Sequence, residues 1–357
     1  MKISIVGTVG VPGRYGGFET LAENLVKHWS SEVADSQLEV WCSSKGRNSL
    51  PDRYEGARLR YVGLDANGAQ SILYDGISIF RSVLGKSDCL LLLGVSGAWA
   101  IPLVRVFSRS RVVTNVDGVE WRREKWGRVA SAVLHALEWL AVRCSHTVIA
   151  DNEGISNYIS DAYGRSAKTI AYGGDHALLS TRTGRAGAVD RGAFALALCR
   201  IEPENNVELI LRAWRDIELP LVFVGNWSGS SFGRQLQAEF GESVNVTLMD
   251  PVYEPDALFE LRSRATLYIH GHSAGGTNPS LVEMMHFGIP VIGFDCSFNR
   301  FSTEGKASYF GDALGLSRCV NLMQSSEGER NGASMLEIAQ RRYTWARVGE
   351  QYRGVLR

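Results

Sequence analysis

Short apolar runs alternate with helix-length amphipathic segments through most of this 357-residue chain. That is the pattern of a parallel sheet covered by helices on both faces. Strands are predicted at Lys2 to Val6, Leu38 to Cys42, Leu59 to Val62, Cys89 to Leu93, Val112 to Asn115, Thr147 to Ala150 and Thr169 to Ile170. The pattern then restarts, with strands predicted at Ala193 to Cys199, Leu221 to Val224, Val244 to Leu248, Leu267 to Ile269 and Pro290 to Phe294. Two such runs predict an α/β protein with two Rossmann-like domains facing each other across a cleft. Between them, Ser180 to Arg191 (STRTGRAGAVDR) is polar, rich in small residues and aperiodic, as a linker is. The predicted organisation is a domain over 1–179, a linker over 180–191, a second domain over 192–335, and a helical segment over 336–357. Tyr343, Trp345 and Tyr352 in or near that last segment can pack it back against a domain face.

Composition narrows the class of protein. At 45% hydrophobic and 21% charged the chain is globular and long enough for two cores. Lys plus Arg and Asp plus Glu each number 38, so no basic excess points to a nucleic-acid partner. Six scattered cysteines without a CxxC pair suggest neither a disulfide framework nor a zinc site, which fits a reducing cytoplasm. The N-terminus reaches a glycine too soon for a signal-peptide core. Leu90 to Phe107 is mostly apolar, but Gly94, Gly97 and Pro102 interrupt it, so it reads as a buried strand and a core helix rather than a membrane span.

Two glycine-rich loops carry the candidate chemistry. The first strand runs into Gly7-Thr-Val-Gly-Val-Pro-Gly-Arg-Tyr-Gly-Gly17 and then a helix. Glycines there let backbone N–H groups approach an anion, with the positive end of the helix behind them. The spacing is neither GxGxxG nor a P-loop, and Gly16-Gly17 can equally serve a tight strand-to-helix turn. In the second half, Tyr268-Ile-His-Gly-His-Ser-Ala-Gly-Gly-Thr-Asn-Pro-Ser-Leu-Val-Glu283 reads strand, glycine loop, helix. Asn278 is the predicted N-cap and Pro279 suits the first turn. The helix start is thereby fixed beside Gly275, Gly276 and Thr277, where backbone donors can meet a diphosphate. Glu283, on the second turn, can accept hydrogen bonds from a sugar or ribose hydroxyl, or be an ordinary solvated helix residue. His270 and His272 flank this loop and can donate to phosphate as neutral imidazoles. No further ligand stands at a spacing that would make them a metal pair.

The stretch NPSLVEMMHFGIPVI after this glycine loop resembles the signature of family 4 retaining glycosyltransferases of the GT-B fold. With GTVGVPGRYGGFET, NVDGVEWRREKWG, IAYGGD, CRIEPENN and HGHSAGGTNPSLVE, the chain is more closely similar to a subgroup containing bacterial rhamnosyltransferases. Those enzymes extend lipid-linked saccharides in capsule, cell-wall polysaccharide or O-antigen assembly. The resemblance implies that 1–179 binds acceptor and 192–335 binds a nucleotide-sugar donor, most simply dTDP-rhamnose with a UDP- or GDP-sugar as the alternative, with no cofactor and, as the chain has no DxD, no metal. The implied donor-binding residues are Gly16, Gly17, Arg200, His272, Gly276, Thr277, Asn278 and Glu283. The implied acceptor-binding residues are Arg14, Tyr15 and Glu120, and the implied catalytic residues are Asp117 and Arg200. Asp117 can also be a turn residue before Gly118.

Three departures matter. The first glutamate of the family pair is Gly275 here, the family lysine five residues after Arg200 is Asn205, and the family histidine is Asp117. That histidine commonly contacts the donor's C6 hydroxyl, which a 6-deoxy sugar lacks. The missing Glu and Lys leave open a sugar-binding GT-B protein without turnover. A nucleotide-sugar epimerase or dehydrogenase would need a dinucleotide fingerprint and a Tyr-xxx-Lys pair, and neither is present.

A lipid-linked acceptor would place the protein at the inner face of the cytoplasmic membrane. Arg105, Arg109, Arg111, Arg122, Arg123, Lys125 and Arg128 outnumber Asp117, Glu120 and Glu124 in one stretch, with Trp121 and Trp126 among them. Basic and aromatic residues side by side suit a headgroup interface, each base contributing about 1 kcal/mol near an anionic surface. The other reading packs both tryptophans into the core.

Overall fold

The computed structural model describes residues 1–13, 16–32, 37–116, 118–122, 126–179 and 194–357. The chain divides into two compact units, Met1–Ala171 with Trp345–Arg357, and Tyr172–Thr344. The predicted linker 180–191 lies outside the described residues. The predicted C-terminal segment is shared between the units, which part at Thr344/Trp345.

The first unit runs β1 (Lys2–Val6), α1 (Gly17–Glu32), β2 (Gln37–Ser43), β3 (Arg53–Tyr54), β4 (Ala57–Val62), α2 (Ser71–Leu84), β5 (Cys89–Leu93), α3 (Ile101–Phe107), β6 (Arg111–Val116), α4 (Arg128–Cys144), β7 (Thr147–Ala150), α5 (Glu153–Tyr163) and β8 (Lys168–Thr169). Its sheet has the order β3-β4-β2-β1-β5-β6-β7-β8 and is parallel except at β3, which pairs antiparallel with β4. β3 escaped the sequence reading because two residues carry no periodicity. β5, apolar throughout, is buried at every residue, as a central parallel strand must be.

The second unit runs β9 (Ala195–Leu198), α6 (Val207–Ala213), β10 (Leu221–Val224), α7 (Ser231–Phe240), β11 (Val246–Met249), α8 (Pro255–Arg264), β12 (Leu267–His270), α9 (Pro279–Met285), β13 (Val291–Phe294), α10 (Ser297–Ser302), β14 (Ser308–Phe310), α11 (Ala313–Met323) and α12 (Ser326–Arg342). Its order is β11-β10-β9-β12-β13-β14, all parallel. Trp214, Phe223, Trp227, Phe240 and Phe310 fill one core of this unit.

The last helix, α13 (Trp345–Leu356), belongs to the first unit. It lies on α1, where the Trp29 indole donates to Gly349 O at 3.1 Å. A Cβ at Gly349 would sit 2.1 Å from the His28 ring, so glycine sets the spacing of the two helices. Asn115 at the end of β6 donates to the buried Tyr352 hydroxyl at 2.7 Å, and Arg111 reaches Arg357 O at 2.8 Å.

In both sheets the chain builds outward from one strand, then crosses back and builds the other way. β1 leads toward β2 while β5 lies on its other side, and β9 leads toward β10 while β12 lies on its other side. The loops leaving such a pair of strands diverge and open a crevice at the carboxyl ends of the strands, where α/β proteins bind ligands. Both glycine loops read from the sequence emerge at these two places, after β1 and after β12.

At the first of them Gly7 has φ +93°, and a Cβ there would lie 2.0 Å from Leu93 O at the end of β5. Gly7→Ala should therefore destabilise the first unit by about 2–4 kcal/mol, combining left-handed strain with a backbone clash. A chemical-denaturation curve in which the variant's midpoint matched wild type would refute this account of the strand junction.

Candidate functional site

In the first unit the glycine loop is clamped from α1. Glu19, buried, accepts from Val9 N at 2.8 Å and from the Thr8 hydroxyl at 3.1 Å. Glu23 accepts from Gly13 N at 2.7 Å and from the Tyr54 hydroxyl at 2.8 Å. Burial raises the Glu23 pKa, but hydrogen bonds from Lys27, Tyr54 and Gly13 outweigh it and hold the carboxyl below its ordinary value. Two of the loop's backbone donors are thus already committed to carboxylates. This differs from the open anion-binding loop suggested by the sequence, because an acid at the third or the seventh residue of the helix competes for the same N–H groups. Gly16, at φ +127°, accepts from both the backbone and the hydroxyl of Thr20, and a Cβ there would meet the Glu19 carboxylate. Gly17 is the first residue of α1.

Glu120 is half-buried, its carboxylate receiving the Trp126 indole at 3.1 Å. Trp121 stacks on His135 with ring centroids 4.4 Å apart and donates to the buried Glu138 at 3.3 Å. Both indoles are therefore hydrogen-bonded within the unit, and both residues are half-buried. Asp117, Arg14 and Tyr15 lie outside the described residues.

The second unit brings more of the anticipated residues together. The loop after β9 and the loop after β12 interlock. Asn206, in the left-handed region at φ 52°, donates to Gly271 O at 2.8 Å, while Ser273 donates to Glu204 O through its backbone and, at 2.7 Å, its hydroxyl. A Cβ on Gly271 would fall 2.1 Å from Asn205 O, so only glycine permits this approach. Asn205 is buried and donates to Arg200 O at 2.7 Å. The residue at the family lysine position is therefore a turn-former here, with no charge to offer a phosphate. The Arg200 side chain is partly exposed at the end of β9, with Glu202 3.5 Å away.

Beyond the second loop, Asn278 caps α9 by accepting from Ser280 N at 3.0 Å. Thr277 is buried, while Gly276 and His272 are half-buried. Gly275 has φ +113° with open space where a side chain would go, so a glutamate here would meet backbone strain rather than crowding. His270 is buried and stacks on His272 at 4.5 Å; burial, then the neighbouring imidazole, holds its pKa well below the ordinary value and keeps it neutral. Among the described residues no cluster of three or more His, Cys, Asp or Glu is placed to hold a metal ion.

Glu283 is not a solvated helix residue. It is buried, paired with Arg262 of α8 through a short bond and with His176 Nε2 at 3.3 Å. Burial alone would raise its pKa, but Arg262 and His176 together lower it, so the carboxylate is charged. His176 lies on the short helical turn Asp175–Leu178, which follows the IAYGGD motif. That turn sits tight on α9: a Cβ on Gly174 would be 2.6 Å from Val282 O and 2.8 Å from Glu283 N. Arg262 and His176 were not singled out from the sequence. Arg262 sits 21 residues before its partner with no local signature, whereas the Gly-Gly of IAYGGD did signal a close backbone approach.

Comparison with known proteins agrees with the fold. Residues 185–302 match the family described as "Glycosyl transferases group 1", and residues 1–175 match "Domain of unknown function (DUF1972)". No curated protein matches. Among solved structures, a sucrose-phosphate synthase from Thermosynechococcus elongatus aligns with TM-score 0.81 at 15% identity, over 99% of this chain and 98% of that one. HepE of Anabaena in complex with UDP and glucose aligns with TM-score 0.72 at 15% identity, over 100% and 99%. The catalytic domain of starch synthase IV from Arabidopsis thaliana, bound to ADP and acarbose, aligns with TM-score 0.75 at 11% identity, over 99% and 98%.

The buried ion cluster has measurable consequences. Arg262→Met should destabilise the second unit by about 3 kcal/mol, since it strands a buried carboxylate, and adding Glu283→Gln should recover part of the loss. Because the folded pKa of Glu283 is depressed, its stabilisation is present above the ordinary value of 4.5 and is lost as pH falls below it. Melting temperature followed from neutral to acid pH should fall less steeply for Glu283→Gln than for wild type. Identical slopes would mean that the cluster is not ionised as described.

Proposed function

With the GT-B fold and a group 1 glycosyl transferase domain in its second unit as the premise, we propose that this chain is a retaining glycosyltransferase using a nucleotide-diphosphate-sugar. The observation that carries the reading is the charged, buried Glu283 beside the two interlocked loops at the strand-order reversal of the second unit. A carboxylate fixed by Arg262 and His176 is pre-oriented, so it can accept hydrogen bonds from sugar or ribose hydroxyls without reorganisation. Arg200 and the backbone N–H groups at Gly276 and Thr277 serve the diphosphate, Asn278 fixes the start of α9, and His272 is a further donor. With Gly275 and Asn205 at the other two positions, Arg200 is the main cationic group for the departing diphosphate.

Breaking the bond from anomeric carbon to phosphate oxygen builds positive charge on the sugar and negative charge on the diphosphate. Arg200 opposes the second of these. Asp117 is proposed to orient the acceptor or take its proton, with Arg14, Tyr15 and Glu120 as acceptor contacts. The carboxylates Glu19 and Glu23, which hold the glycine loop of the first unit, favour hydroxyl-bearing over anionic ligands there. We assign Gly16 and Gly17 to shaping that loop.

The donor proposed is dTDP-L-rhamnose and the acceptor a lipid-diphosphate-linked saccharide, supported by the subgroup motifs and by Asp117 at the family histidine position. A UDP-sugar is the second reading, favoured by HepE, which was solved with UDP and glucose. A donor screen in the presence of EDTA separates them. Release of dTDP from dTDP-rhamnose, with chelator having no effect, is expected; preference for UDP-glucose would move the assignment to the second reading. Arg200→Ala should lower kcat about 100-fold while raising KM only a few-fold, because its charge is needed most in the transition state. A raised KM with kcat unchanged would instead make Arg200 a ground-state binding group.

A further inference from the structure

The outer surface of the first unit carries a feature that the donor site does not explain. A helix on the surface of an α/β unit normally turns charged residues to water. Helix α4 does not. Its solvent-facing stripe is Val129, Ala132, Val133, Ala136 and Trp139, at helical spacing and interrupted only by His135, and its only acid, Glu138, points inward. There Glu138 receives the Tyr158 and Tyr163 hydroxyls at 2.6 and 2.5 Å. The charged residues left outside on α4 are Arg128 and Arg143, one at each end.

Helix α3, which packs beside α4, repeats the arrangement. Ile101 and Val104 face the core, while Val106 and Phe107 stand 74% and 81% exposed. Val129 and Trp139 are 79% and 49% exposed. Arg105 lies between the two helices, donating to Cys144 O at 3.2 Å, and Arg109 follows α3. The exposed residues of α3 and α4 include no Asp or Glu.

We infer that the outer face of α3 and α4 docks on an anionic lipid surface, its apolar stripe entering the headgroup layer and its arginines meeting lipid phosphates. An apolar stripe flanked by bases and without acids is the composition such an interface selects. A second copy of the chain fits less well. A two-fold contact would bring the arginines of one copy, Arg105, Arg128 and Arg143, toward those of the other with no carboxylate on either helix face. This deepens the partner reading above by moving the contact from Trp121 and Trp126 to α3 and α4. It stands on surface composition, whichever sugar is transferred. Among the described residues no helix is long and apolar enough to cross a membrane, so the contact is peripheral.

The test is flotation of the whole protein with phosphatidylcholine vesicles made with and without phosphatidylglycerol, without any sugar substrate. Binding should require phosphatidylglycerol and decline with salt. R128E/R143E should weaken it by at least about tenfold, and V129S/W139S should weaken it while leaving the melting temperature unchanged, since these side chains are exposed. Absence of binding at low ionic strength, or variants that bind like wild type, would overturn the proposal. So would concentration-dependent dimerisation abolished by V129S/W139S. Vesicle binding without turnover would count against the transferase reading alone, and turnover on a water-soluble acceptor without vesicle binding would count against this one alone.

Discussion

A carboxylate taken out of water must find compensating charge, and the second unit is arranged around that requirement at Glu283. The desolvation penalty of a buried anion amounts to several kcal/mol, offset only when partners are close and well directed. Arg262 comes from α8 and His176 from the turn after the first unit's last strand, so one side chain ties two separated segments to α9. The turn can come close enough only because Gly174 has no side chain.

The same economy of glycine recurs where the loops meet. Gly271 against Asn205 and Gly7 against Leu93 both allow backbone-to-backbone approaches that a methyl group would forbid. Each lies where a sheet reverses its strand order and the chain must leave two adjacent strands in opposite directions. The crevice that results is a property of topology, while its chemistry is decided by a handful of side chains. In the first unit those side chains are the carboxylates Glu19 and Glu23. In the second they are Arg200, the histidine stack and the Glu283 cluster.

Unit-level packing also divides the helix surfaces into those with partners and those without. Helix α13 covers α1 through Trp29 and Gly349, and α12 packs against α9, so these faces are accounted for. The outer stripe of α4 is not. Glu138, which by pattern could have been an exposed charge, is drawn inward by Tyr158, Tyr163 and Trp121, and its removal from the surface is what leaves that stripe purely apolar and basic.

Sequence alone determined the architecture, because a parallel sheet needs buried strands on a regular spacing and these are visible as apolar runs. β1, β5, β7 and β10 were located to the residue, and the other long strands within two residues. It determined the Asn278 cap and the two glycine loops for the same reason, since caps and tight turns are local. What it missed were short edge pieces such as β3 and β14, and above all pairings between distant residues. That Glu283 is buried by Arg262 and His176, that Glu19 and Glu23 occupy the first loop's donors, and that Trp121 turns inward while Trp139 faces out were decided only by tertiary structure. Periodicity fixes which face of an element is apolar; only the packed fold fixes what lies opposite each polar group.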